Sequence, residues 1–171
     1  ANGDVVAVGG SIETTGTLNN GVVFVGGRIG LGGSIKGPLL VFGGRVVSKG
    51  EILNSAKFIG GTVTGESTVG GNLQVAAGRV DLGKETVVRG TTWIAAGKAR
   101  LQGRYEGELR VAAREVTIDG EVLGDLMIDA VEVVIAPSAV VRGNLLYRGP
   151  AEAKIHPDAR IDGDVEFTRS E

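Results

Sequence analysis

The chain has 171 residues, 30 of them glycine and four proline, with 18 basic and 20 acidic side chains, one histidine and no cysteine. That length carries one domain with its own core, and 42% apolar residues with so little proline exclude collagen and a flexible linker. A formal charge of −2 excludes the basic footprint of a nucleic-acid binder, and the absence of cysteine excludes disulfide and thiol chemistry.

No apolar run approaches the roughly 18 residues of a membrane span. No leader peptide is recognisable. The start at Ala1 leaves two readings open, a mature chain after cleavage and a trimmed one.

The first element is "DVVAVGGSI" (4–12). It returns as "GVVFVGGRI" (21–29) and "PLLVFGGRV" (38–46). A fixed period of this length is the mark of a repeat architecture. One position runs Ile12, Ile29, Val46, Val63 and Val80 in steps of 17, then Ala99, Val116, Val133 and Ala153 in steps of 19, 17, 17 and 20. A second runs from Val5, Val22 and Leu39 to Leu145 and Val165. A third runs from Leu18, Ile35 and Ile52 to Val141 and Ile161.

Inside each repeat apolar positions alternate, as in Leu73 and Val75, then Val80 and Leu82, then Val88. Period two predicts strands, three short ones per repeat joined by tight corners. Such a repeat buries nothing alone, but stacked copies share a core. The expected fold is all-β: a single-domain right-handed parallel β-helix spanning residues 1–171, with about nine triangular coils of 17–20 residues. At about 4.8 Å per coil the rod is roughly 43 Å long.

The glycines Gly9, Gly26, Gly43 and Gly60, each followed by a second glycine, are expected at one corner. There glycine adopts turn angles cheaply and lets coils stack without an intervening side chain. Three coils carry two extra residues, "GKETV", "APSAV" and "HPDAR", and are expected to bulge at another corner. Asp and Asn after a corner glycine, such as Asn72, Asp125 and Asn144, read as turn formers.

Motifs that carry chemistry are weak. "GRVDLGKE" (78–85) nearly matches a phosphate loop, but Glu85 stands where the metal-binding hydroxyl belongs and the segment reads as strand. "GGRIGLGG" (26–33) leads into no helix, so it is no dinucleotide fingerprint. The lone His156 sits in a turn. Asp158, Asp162 and Asp164 lack the repeat motif of calcium-binding solenoids. The expectation is a non-enzymatic protein with no cofactor, no catalytic or metal site, no small-molecule substrate and no nucleic-acid partner.

The outward positions are more informative. Val6, Val8, Val23, Val25, Leu40, Phe42 and Ile59 form an apolar patch, expected to be a lateral self-association surface. A second face carries Arg28, Arg45, Arg79 and Lys98, a basic strip expected to bind a membrane surface or an envelope glycan weakly, followed by Glu115 and Glu132. The terminal strands, with Val5 and Ala7 at one end and Val165 and Phe167 at the other, have no helical or proline-rich cap and are expected to support end-to-end assembly.

The repeats "GDVVAVGGSI", "GNLQVAAGRVDL", "GELRVAAREVTIDGEVLGDL" and "APSAVVRGNLLYRG" resemble the bactofilin-type, polymer-forming cytoskeletal family over nearly the whole chain. The resemblance implies a right-handed, roughly triangular β-helix that assembles end to end into nucleotide-independent filaments, without catalytic residues. The Gly-Gly-rich form ending "RGPAEAKIHPDARIDGDV" is more similar to exported or membrane-linked ectodomains of that superfamily. It implies an extracytoplasmic or membrane-associated scaffold in a prokaryote, with a cytoplasmic location as the alternative. A binding module for a glycan or protein partner at the cell envelope is the alternative to a self-assembling scaffold.

Overall fold

A computed structural model of the chain describes residues 5–150 and 154–169, with Val5 described by its backbone alone. All regular structure among them is strand, wound into a parallel β-solenoid of about nine turns. The three sequence columns stack in the expected register. Val22 pairs with Leu39, Leu39 with Ala56 and Ala56 with Leu73; Ile29 pairs with Val46 and Val46 with Val63; Leu18 pairs with Ile35 and Ile35 with Ile52. The chain climbs one strand spacing per turn, so every backbone ladder runs between coils and none runs within a coil.

The inward residues of all three columns make one continuous core. Val22, Ile29, Ile35, Val41, Val46, Leu109, Ile118, Val122 and Leu145 are buried. Inward and outward side chains alternate along each strand, as in Leu73–Leu82 and Leu109–Ile118, because the pleat sends successive side chains to opposite faces. Ala153, expected to extend the first column, lies outside the described residues.

Two corners differ from the expectation. The Gly-Gly segment does not interrupt the strand: Val22–Leu31 runs ten residues through Gly26 and Gly27, and Leu73–Leu82 runs ten through the equivalent Ala77 and Gly78. Its glycines do not take left-handed angles; among the described residues positive φ occurs at Gly16, Gly33, Gly50 and Gly103. Stacking explains the Gly-Gly column. A Cβ on Gly43 would lie 3.1 Å from the carbonyl oxygen of Gly26 and 3.0 Å from Ile29 Cδ1. A Cβ on Gly60 would collide with the carbonyl oxygen of Gly43.

The left-handed glycines form the next corner, where Gly33 and Gly50 lead into the short third strand. The longer coils turn this corner differently. Thr86 N donates to Gly83 O (3.1 Å) and Ala139 N to Ala136 O (3.0 Å), closing turns through the two added residues. Thr86 and Ala139 then sit where the short coils place Gly50, in ordinary backbone, and their side chains enter the core. In these coils the expected bulge stands in for a left-handed glycine, whereas Ser67 holds the same position of a short coil without positive φ.

The interior holds a few polar groups. Ser48 and Ser67 share a 2.6 Å hydrogen bond, and Thr86 Oγ1 donates to Gly65 O at 3.1 Å. They lie beside Gly65, in whose column Ser48 and Gly65 interrupt the run of Leu31, Leu82, Leu101 and Ile118. Tyr105 is fully buried and donates to Gln102 O at 2.8 Å. Thr92 stands in the column of Leu73 and Leu109, and its Oγ1 has no hydrogen-bond partner.

Two outcomes follow from these polar groups. Thr92→Val keeps the shape and removes a buried unsatisfied hydroxyl, so it should raise stability by about 1 kcal/mol in a denaturant titration; a loss of that size would contradict the account. Burial pushes the Tyr105 phenol far above its ordinary value near 10. Above about pH 10 the unfolded chain releases a proton that the folded chain keeps, so stability should fall by up to about 1.4 kcal/mol per pH unit. Tyr105→Phe should remove that share of the alkaline slope in stability-against-pH measurements.

Candidate self-association surfaces

The outer side of the first sheet carries two side-chain columns. The outer column begins Val6, Val23, Leu40, Lys57, Gln74, Trp93, Arg110, Met127 and Leu146. The neighbouring column reads Val8, Val25, Phe42, Ile59, Ala76, Ala95, Ala112, Asp129 and Arg148. The expected patch residues all point out. Val6 and Val8 are 68% and 77% exposed, Val25 and Phe42 are exposed, and Val23, Leu40 and Ile59 are half-buried by their neighbours. They form a ridge over the first four coils.

Beyond Ile59 the ridge gives way to a groove of about 680 Å³, which sequence reasoning did not identify. Its floor is Ala76, Ala95 and Ala112, whose methyl groups leave the sheet backbone within reach. Its wall is Trp93, Arg110, Met127 and Leu146. Arg110 lies over the indole of Trp93, 5.6 Å from the ring centroid, and is held from the other side by Glu108 at 2.8 Å. The drop from Phe42 and Ile59 to three alanines in one column was the available clue. It is invisible until the register shows that these residues are neighbours.

The basic strip also stacks as expected: Arg28 pairs with Arg45, Thr62 with Arg79, and Arg79 with Lys98. All four cations are exposed. Lys98 is neutralised by Glu115 at 3.2 Å, whereas Arg28, Arg45 and Arg79 make no ion pair among the described residues. The strip is therefore three free guanidiniums, with Thr62 between the second and third.

At the ends of the described rod, strand Val5–Thr14 pairs on one side only, with Val22–Leu31. Strand Val165–Arg169 likewise pairs on one side only, with Leu145–Gly149. Core-facing residues are correspondingly less covered there. Ala7, Ile12, Leu18, Ile161 and Phe167 are half-buried, and Val165 is 53% exposed. Phe167 packs on Tyr147 with centroids 5.2 Å apart. The side chain of Val5, expected at one of these ends, lies outside the described part.

The motifs set aside by sequence have plain structural roles. Arg79–Leu82 lies inside a strand and Lys84–Glu85 forms the inserted turn, so no helix follows "GRVDLGKE". His156 Nδ1 accepts a hydrogen bond from Asp158 N (3.0 Å). Asp162 is held by Arg160 at 2.8 Å and Arg142 at 3.8 Å. The corner Asn and Asp residues do more than shape their own turns. Asn72 Oδ1 accepts from Thr91 N, Asp125 Oδ1 from Asn144 N and Asn144 Oδ1 from Asp164 N, all at 2.9 Å, so each bridges to the next coil.

No helix occurs among the described residues, so none is long and apolar enough to cross a membrane. No protein-family model, curated protein or solved structure matches the chain.

Arg28, Arg45 and Arg79 are exposed and uninvolved in folding contacts, so replacing all three with Gln should leave the melting temperature within about 2 °C. Any binding of the native protein to anionic vesicles should fall at least tenfold in the triple variant, and likewise between 50 and 500 mM salt, where the Debye length shrinks about threefold. Binding that survives both changes would remove the strip from consideration.

Proposed function

We propose that this chain is a non-enzymatic structural protein whose solenoid stacks end to end into rods or short filaments. The carrying observation is the parallel ladder that joins each described coil to the next in one constant register, as Leu39 to Ala56 and Ala56 to Leu73. A parallel coil offers the same hydrogen-bonding edge to a neighbouring copy as to its own next coil, so stacking continues the ladder without new geometry. Apolar residues at the last coil, Ile161, Val165 and Phe167, would gain the cover that their counterparts Val122, Leu126 and Ile128 already have.

Neither nucleotide nor metal is needed for such growth, because backbone pairing and apolar burial supply it. The resemblance of the repeats to bactofilin-type polymer-forming proteins supports the same reading, and with it a scaffold at the outer side of a prokaryotic membrane. The ends carry different side chains. Ala7, Ile12 and Leu18 present a smaller apolar section than Ile155, Ile161 and Phe167. Head-to-tail growth would therefore bury a small section against a large one.

The pure protein should sediment as a concentration-dependent series and show rods by electron microscopy. Ile161→Glu combined with Val165→Lys should shorten or abolish the rods while leaving the main melting transition in place. A native protein that stays monomeric at millimolar concentration, or rods unchanged in the variant, would overturn the proposal.

A further inference from the structure

We propose that the ridge and the groove on the first sheet are two halves of one self-complementary interface. Through it a second copy of this chain docks face to face with its coil order reversed. Each chain carries bulky residues on the first four coils of one column and alanines on the next three, at the same strand pitch. A ridge and a groove of equal pitch on one surface fit each other when one copy turns by 180° about an axis parallel to the strands. That operation keeps the strand direction, reverses the coil order and sets each column against itself, which is the isologous arrangement of a two-fold dimer.

One register seats the ridge in the groove, with Val8 meeting Asp129 at its edge and Val23 meeting Arg110 in the outer column. It sets Val25 on Ala112, Phe42 on Ala95 and Ile59 on Ala76 of the second copy, so each large side chain meets a methyl. In the outer column it sets Leu40 on Trp93 and Lys57 on Gln74. A shift of one coil one way puts Lys57 against Lys57 and Ile59 against Ile59, opposing like charges and bulk. A shift the other way leaves Ala76 facing Ala76 across a gap and moves the Asp129 carboxylate inward from Val8 to Val25. The alternative axis along the rod sets the two columns of each coil against each other. It sets Val6 against Val8 and Leu40 against Phe42, bulk on bulk, and places Trp93 and Arg110, not the ridge, over Ala95 and Ala112.

The extent is adequate for a specific contact. Eight coils at about 4.8 Å and four strand residues at about 3.3 Å give a face of about 500 Å² per copy, or about 1,000 Å² in total. That reaches the roughly 1,000 Å² expected of a specific contact and belongs to the weak, concentration-dependent class. Trp93, 52% exposed in the single chain and at the centre of the groove wall, is the kind of aromatic anchor on which such contacts depend. The contact is lateral, so it does not depend on end-to-end stacking and is testable in the end-blocked Ile161→Glu, Val165→Lys background.

The chain has no cysteine, so single thiols report on neighbours cleanly. Phe42→Cys and Ala95→Cys proteins, mixed and treated with a short bis-maleimide, should give a covalent dimer, while neither gives one alone. Emission of the single tryptophan should shift to the blue as native protein is concentrated, and Ala95→Glu should abolish the shift. Ala95→Phe should block pairing, and adding Phe42→Ala to it should restore pairing. Each variant's melting curve separates misfolding from lost contact. Cross-linking of Phe42→Cys with itself, of Leu40→Cys with Phe42→Cys in place of the expected pair, or of no pair at all would overturn the proposal.

Discussion

The backbone ladder between successive coils is the constraint on which everything else rests. Because each strand pairs only with the coil before and the coil after, residue i is placed beside residue i+17, or i+19 and i+20 where two or three residues are added. Side chains therefore live in columns, and each column is a one-dimensional packing problem with a pitch of about 4.8 Å. Inward columns solve it with Val, Ile and Leu. The Gly-Gly column solves it by having no side chain where the carbonyl of the coil below would be struck. The corner caps solve it with Asn and Asp carbonyl or carboxylate oxygens that reach the next coil's backbone N–H.

The same constraint explains what was readable before any coordinates. Three apolar columns with common spacing determine which residues share a coil face, so Val22, Leu39 and Leu73 are placed together by arithmetic alone. What arithmetic does not carry is backbone conformation. Gly43 and Gly33 look alike in the sequence, yet Gly43 is an extended strand residue crowded by its neighbours and Gly33 is left-handed at a turn. Both demand glycine, one for space and one for φ, and only the structure separates the two reasons.

The candidate surfaces were legible in part for the same cause. An apolar outward residue such as Phe42 is visible as a break in the alternation. A groove made of alanines is not, because Ala76, Ala95 and Ala112 are unremarkable one at a time, and only their shared column beside Trp93 makes a trough. The terminal strands fall between these cases. Their positions follow from the repeat, but the uneven cover of Val165 and Phe167 depends on the packing of Tyr147 beneath them.

A solenoid separates the demands of folding and recognition more sharply than a globular domain does. Folding consumes the inward columns and the corners, and the core is continuous through coils whose outer columns differ completely. Phe42 and Ala76 sit two coils apart over similar interiors, Val41 beneath one and Val75 beneath the other. The outer columns are thus free to vary without cost to the coil. A sustained pattern there, four bulky residues followed by three alanines, has no explanation in the stability of the single chain. Isolated exposed apolar residues need no explanation, but an ordered run of them matched by an ordered run of gaps at the same pitch does. Contact with a surface of the same pitch accounts for both runs together, and another copy of this chain is a surface that has it.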